Sequence, residues 1–222
     1  MKLMIEKDGI RSQVVKALRQ AIITGELTPG QRLIEADLCG TLGISRPSLR
    51  EALRHLETER LVHFIPNRGC FVADLGWEEA RQIYDARTLL EPELAARAAV
   101  NRSEDQLAEI AAAVADFEAA VAGQDKLGQI MSSKAFYEAL FDAAGNVILG
   151  DVLNGLNARI SVLRGRSMSQ PDRSGHSLRE LDAIHLAIRD RDPERARQAA
   201  GHHLEQAAAA ALSVMKRTPE TA

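Results

Sequence analysis

Two cysteines, Cys39 and Cys70, are the only thiols in 222 residues, too few for a disulfide-stapled secreted scaffold. In a reducing compartment they read as two small buried hydrophobes. Aromatic residues make up only 4% of the chain while alanine and leucine abound, which argues for helices and against a sheet-rich fold. No apolar run approaches the roughly 20 residues needed to cross a bilayer. The opening Met1-Lys2-Leu3-Met4-Ile5-Glu6 has no apolar signal-peptide core, so a cytoplasmic protein with no membrane partner is expected. Gly-x-Ser-x-Gly, a phosphate-binding glycine-rich loop and His-Glu-x-x-His are also missing, which removes the common hydrolase, nucleotide-binding and zinc-protease signatures. Asp182 and His185 are close on one helix but lack a third partner, and no enzyme is expected.

What is present is an ordinary folded composition, 45% hydrophobic and 27% charged. The net charge of −3 is unhelpful to a nucleic-acid binder, but it is unevenly spread. Residues 1–75 carry 11 Lys+Arg against 9 Asp+Glu, a net of +2, and the remainder carries 17 against 22, a net of −5. So small an excess decides nothing by itself; the positions of particular arginines matter more.

Ile10, Val14, Leu18 and Ile22 recur every four residues and predict a helix over 10–25, ended by Gly25 and the Thr28-Pro29-Gly30 turn. A short helix fits Glu35 to Leu42, stopped by Gly43. Ser45 is a suitable N-cap for a third helix, whose first turn tolerates Pro47. On that helix Leu49, Ala52, Leu53 and Leu56 form one apolar stripe. Arg50 and Arg54 project from the other side, with Arg46 at the N-terminal end. This pattern is either an ordinary solvated basic face or a recognition helix, which fits a major groove and offers guanidinium forks to guanine. Two β-type runs, Leu61–Ile65 and Cys70–Ala73, flank Pro66-Asn67-Arg68-Gly69 and predict a hairpin with a basic tip. Helix-turn-helix plus hairpin is a winged helix.

Three linked stretches carry a family resemblance: Gly25-Glu26-Leu27-Thr28-Pro29-Gly30-Gln31-Arg32-Leu33, Leu42-Gly43-Ile44-Ser45-Arg46-Pro47-Ser48-Leu49-Arg50-Glu51-Ala52-Leu53, and Pro66-Asn67-Arg68-Gly69-Cys70-Phe71-Val72. Together they resemble the GntR superfamily of bacterial regulators. The resemblance implies that Arg32, Arg46 and Arg50 contact DNA, with Ser45 and Ser48 at the same helix start and the Asn67-Arg68-Gly69 wing at the minor groove. It also implies a homodimer on a short palindromic operator. Pro47-Ser48 stands where a Thr-Pro pair is common, a departure that bears on base preference.

From residue 76 onward no strand is expected. Breakers divide the rest into six helices, 76–101, 103–122, 124–144, 146–168, 172–190 and 192–216, with Ser103, Asp172 and Asp192 as caps. The fold class expected is mainly α, a winged helix-turn-helix domain over 1–75 followed by an antiparallel all-helical bundle over 76–222. The Ala-rich last helix either closes that bundle by close approach or reflects helix propensity alone. Tyr84-Asp85-Ala86-Arg87-Thr88-Leu89-Leu90-Glu91-Pro92, with Phe141-Asp142-Ala143-Ala144-Gly145-Asn146 and Ser177-Leu178-Arg179-Glu180, resembles the FCD effector domain of the FadR branch. A count of six points to its VanR-type subgroup.

Many FCD domains hold a divalent metal with an Asp and three His. Here Ser133, Tyr137 and Leu181 stand at three of those positions and only His203 remains, so no metal or other cofactor is expected. A displaced site using His185 and His203 is the alternative, weighed against two core histidines with satisfied hydrogen bonds. Arg87 lies in the middle of the apolar stripe of Ile83, Leu90 and Leu94, where its charge must find an anion. That anion is either a structural carboxylate such as Glu91 or a carboxylate effector in the guanidinium fork. Arg159, Ser133, Tyr137 and His203 complete the expected effector set. The function expected is a ligand-responsive regulator, a repressor by preference, whose partners are double-stranded operator DNA and an organic acid. The alternative is a constitutive DNA-binding dimer that has lost its effector along with its metal.

Overall fold

The computed structural model describes residues 9–216, and the side chains of Ile10 and Lys216, like the Met1–Glu6 opening, lie outside what is described. The chain divides into two compact units, Met1–Leu75 and Gly76–Ala222.

In the first unit three helices, α1 (Ile10–Thr24), α2 (Glu35–Leu42) and α3 (Arg46–Thr58), accompany three short strands, β1 (Arg32–Leu33), β2 (Val62–Ile65) and β3 (Gly69–Val72). The α1 stripe is as its periodicity predicts, with Val14, Leu18 and Ile22 buried. It ends where Gly25 turns left-handed at φ +84° and donates its N–H to the Ile22 carbonyl, a conformation a side chain would disfavour. Ser45 caps α3 by accepting from the Ser48 N–H, and Pro47 occupies the first turn. Leu49, Ala52, Leu53 and Leu56 are fully buried against this small core. Each such leucine contributes about 1.5–3 kcal/mol through burial. The opposite face of α3 is therefore free to carry charge.

The sheet is antiparallel with strand order β1-β3-β2. The β2–β3 hairpin lies where its sequence placed it. Its turn closes with the Arg68 N–H on the Ile65 carbonyl at 3.0 Å. Pro66 sits at the second turn position and Asn67 at the third with φ +59°, as a type II turn requires. Strand β1 was not expected. It pairs Arg32 with Phe71 and Leu33 with Cys70, and two residues are too few to show a period.

The second unit holds seven helices among the described residues: α4 (Trp77–Asn101), α5 (Glu104–Ala122), α6 (Lys126–Ala143), α7 (Val147–Asn154), α8 (Asn157–Met168), α9 (Arg173–Arg189) and α10 (Pro193–Lys216). The helix expected over 146–168 breaks at Gly155-Leu156, so the count is seven, not six, and the subgroup expectation loses the count it rested on. Ser103 and Gln106 form a reciprocal capping box on α5, and Asp192 accepts from the Arg195 N–H to cap α10. Asp172 does not cap α9: it sits at φ +56° and its carboxylate takes no cap hydrogen bond, a left-handed placement that aspartate tolerates. Buried Ala95, Ala98 and Ala99 of α4 meet an α10 lined by buried Ala196, Ala200 and Ala207, so the small residues of the last helix do allow close packing. Phe117, Phe136, Leu140 and Ile184 fill the centre. None of the described helices is long and apolar enough to cross a membrane.

Candidate nucleic-acid interface and effector site

The face of α3 turned away from its buried stripe exposes Arg46, Arg50 and Arg54. Ser45 is exposed and Ser48 half-buried, their hydroxyls 2.9 Å apart at the helix start. Arg46 makes no ion pair among the described residues, whereas the Arg50 Nε bonds both carboxylate oxygens of Glu35 on α2 at 2.9 and 3.1 Å. That hydrogen bond and the Glu35 charge hold the Arg50 pKa above the usual guanidinium value. The restraint by Glu35 had no signature in the sequence, since the two residues are 15 apart and on different helices. Arg54 lies over the Phe64 ring at 5.3 Å and Arg68 over Phe71 at 5.8 Å, which ties two cations to the wing. At Gly69, φ is +98°, and a Cβ built there would lie 3.7 Å from the Arg32 Nε. Strand β1 thus brings Arg32 beside the wing tip, next to exposed Asn67 and Arg68. Exposed guanidinium groups on one helix face, with two more at a hairpin tip, suit base edges and phosphates.

In the second unit, Arg87 is 1% exposed and so is Glu91. Arg87 Nε donates to Glu91 Oε1 at 2.7 Å and Nη2 to Oε2 at 3.2 Å, so the structural carboxylate is the one four residues on. Burial works against the Arg87 charge, but the adjacent Glu91 carboxylate outweighs it and the pKa ends above the usual value. Among the described residues Arg87 Nη1 is left with no partner, as are the hydroxyls of Tyr84 and Tyr137. The Arg87 guanidinium stands 5.1 Å from the Tyr84 ring centre and 5.7 Å from that of Tyr137. Burial, then the Glu91 charge, pushes the Tyr137 hydroxyl up, which keeps it protonated. Ser133 is buried one turn before Tyr137 on α6, and the His203 ring is 6.2 Å from that of Tyr137. Four of the five expected effector residues thus belong to one neighbourhood. Arg159 does not join them; its Nη1 pairs with Glu79 at 2.8 Å. The residue that sequence reasoning missed is Arg164 on α8, 6% exposed, with its guanidinium 5.1 Å from the Tyr137 ring centre.

His203 Nδ1 lies 2.7 Å from Glu180 Oε2, and the same carboxylate receives Arg173 Nη2 at 2.7 Å. Burial holds the His203 pKa below its usual value, although Glu180 opposes it. Glu180 is also lowered: burial alone would raise it, and the bonds from His203 and Arg173 prevail. Both groups bind protons more readily unfolded than folded. Their stabilisation is complete above the unfolded histidine value of about 6.5 and is lost as pH falls through the depressed folded values. The thermal midpoint therefore falls between pH 7 and pH 5, and His203→Gln flattens that slope. A slope unchanged by the substitution would contradict this assignment.

The residues here do not fit the divalent metal that the family resemblance implies. Two hydroxyls and a leucine occupy three ligand positions, and His203 is engaged by Glu180. His185 pairs with Asp182 at 3.5 Å, and among the described residues no three of His, Cys, Asp and Glu gather to hold an ion.

Residues 82–206 match the FCD domain family, and residues 10–72 match the family described as bacterial regulatory proteins, gntR family. The chain is 28% identical over 188 residues to the uncharacterized HTH-type transcriptional regulator YdhC of Bacillus subtilis, covering 84% of each. It is 28% identical over 209 residues to the galactonate operon transcriptional repressor of Escherichia coli, covering 85% of this chain and 90% of that one. A solved GntR transcriptional regulator from Rhodococcus sp. RHA1 superposes with a TM-score of 0.77 at 26% identity, over 94% of this chain and 98% of that one.

Proposed function

Because the chain belongs to the GntR family of bacterial regulators and carries an FCD effector-binding domain, we propose that it binds a palindromic operator as a homodimer and releases it on binding a small organic acid. It is a DNA-binding transcription regulator, not an enzyme. In this reading α3 enters the major groove with Arg46, Arg50 and Ser48, while Asn67, Arg68 and Arg32 follow the backbone at the minor groove. The observation that carries it is the exposed guanidinium face of α3 opposite a fully buried stripe. One such helix reads few base pairs, and two related by a dyad supply the length a specific site needs. Repression is the sign of regulation in the galactonate relative, and the protein acts where its operator lies, in the cytoplasm.

The effector occupies the neighbourhood of Arg87, Ser133, Tyr137 and His203. Unpartnered buried donors support this, since a fold rarely leaves such groups without an acceptor. The second reading, a constitutive dimer, is favoured by one observation: Arg87 already has its counter-ion in Glu91. Operator binding followed by fluorescence anisotropy, with DNA from upstream of the protein's own gene and a panel of sugar acids and other organic acids, separates the two. An acid that weakens binding at constant ionic strength supports the first, and indifference to the whole panel supports the second. Binding that does not weaken as salt rises overturns both, because phosphate contacts release counter-ions.

A further inference from the structure

Besides Arg102, which pairs with Glu104, three arginines of the second unit, Arg87, Arg164 and Arg173, are each 7% exposed or less. Two have counter-ions, Arg87 in Glu91 and Arg173 in Glu180. Arg164 has no carboxylate within ion-pair distance among the described residues. Its one hydrogen bond among those residues runs from Nη1 to the neutral Asn157 Oδ1 at 3.5 Å, and its Nε has no partner there. Burial, and next the like charge of Arg87, pulls its pKa down to about 10, so it remains charged at neutral pH. A buried cation without a counter-ion is among the costlier arrangements in a protein.

Around it the unsatisfied groups are of one kind. Among the described residues, Arg164 Nε, Arg87 Nη1, Tyr84 Oη and Tyr137 Oη are all buried hydrogen-bond donors with no partner. They come from α4, α6 and α8 and meet at the Tyr137 ring, which has a guanidinium 5.1 Å and another 5.7 Å from its centre. A carboxylate is their complement: two oxygens, about four lone-pair sites and no donor. With His203 neutral, three arginines against two glutamates leave one positive charge. One carboxylate balances it; a dicarboxylate or a phosphate dianion brings in charge the site cannot match.

We propose that Arg164 is the residue that receives the effector, binding the single carboxylate of a monoanionic organic acid, with Arg87 Nη1 and the Tyr84 and Tyr137 hydroxyls completing the shell. This rests on the effector reading above and moves its anchor from Arg87, which serves as a platform fixed by Glu91, to Arg164 on α8. Where the family resemblance implies a metal to hold the acid, a guanidinium does so here.

The test is thermal unfolding of the full chain, wild type, Arg164→Met and Arg164→Lys, titrated with sodium acetate, succinate or inorganic phosphate against chloride at constant ionic strength. In wild type, acetate raises the midpoint more than succinate or phosphate does, because it binds only the folded state. Arg164→Met is no less stable than wild type in chloride, since an uncompensated charge has gone, and its apparent affinity for acetate falls at least about tenfold. Arg164→Lys keeps the charge without the fork and retains a weakened response. An Arg164→Met protein that titrates with acetate like wild type overturns the anchor and leaves the effector reading intact. A midpoint lowered in chloride makes Arg164 a structural cation and also overturns it. A wild type that prefers succinate or phosphate overturns the single-charge rule. One indifferent to all three anions overturns the site, whatever the organic-acid panel does to operator binding.

Discussion

Arg87→Met lowers the folding stability of the helical unit by about 3–5 kcal/mol, the usual cost of stranding one partner of a buried ion pair. In thermal unfolding that is a drop on the order of 10 °C for a unit of this size. The reason is what remains: Glu91, 1% exposed and held by two bonds from Arg87, becomes a desolvated carboxylate stripped of its hydrogen-bonded counter-ion. Arg87→Met/Glu91→Leu removes both charges and recovers most of the loss, because replacing a buried pair by apolar groups of similar volume is often neutral. If Arg87 were chiefly an effector ligand, the single substitution would leave the midpoint near wild type and abolish the response to acids. The double variant is the control that matters, because a failure to respond in Arg87→Met alone also follows from unfolding. A midpoint within about 1 °C of wild type for Arg87→Met would refute the platform role.

The same residue shows how far periodicity alone reaches. Its place on the stripe of Ile83 and Leu94 required a buried anion partner, and Glu91 was one of two named alternatives. The sequence could not show that one guanidinium nitrogen stays unpaired after Glu91 is satisfied, because that depends on three other helices. Arg164 was missed for a related reason. On α8, Arg159 and Arg164 flank the apolar line of Leu156, Ile160 and Leu163 on opposite sides, so spacing ranks neither above the other. The packing of α8 against α6, α9 and α10 decides: Arg164 is buried, and Arg159 takes Glu79 instead. The break at Gly155 was equally hidden, since a glycine inside an apolar helical pattern is usually tolerated. Local signals did better. Ser45, Ser103 and Asp192 cap the helices they precede, and Pro66-Asn67 makes the turn its dihedral demands require. Each rests on neighbours within four residues, whereas Arg159 and Arg164 were decided by contacts between helices; Asp172, a cap that fails, is the local exception.

Arg46→Ala should weaken specific operator binding roughly thirtyfold to twenty-thousandfold while leaving the thermal midpoint nearly unchanged. Arg46 stands at the N-terminal turn of α3, where recognition helices reach base edges, and it is exposed with no ion pair among the described residues. One bidentate guanine contact is worth about 1–3 kcal/mol, and a dimer makes it twice, so about 2–6 kcal/mol is at stake. Arg50→Ala costs less, because binding must first take Arg50 from Glu35, and Glu35→Gln should strengthen binding by releasing it and removing a negative charge. Salt dependence distinguishes reading bases from holding phosphates. Arg46→Ala leaves the slope of log affinity against log salt almost as in wild type, whereas Arg68→Ala at the wing flattens it by about two for a dimer and weakens all sequences alike. Operator and scrambled DNA compared by anisotropy over a range of salt measure both quantities. Should Arg46→Ala instead flatten the slope with discrimination intact, α3 lies along the backbone and the major-groove docking is wrong.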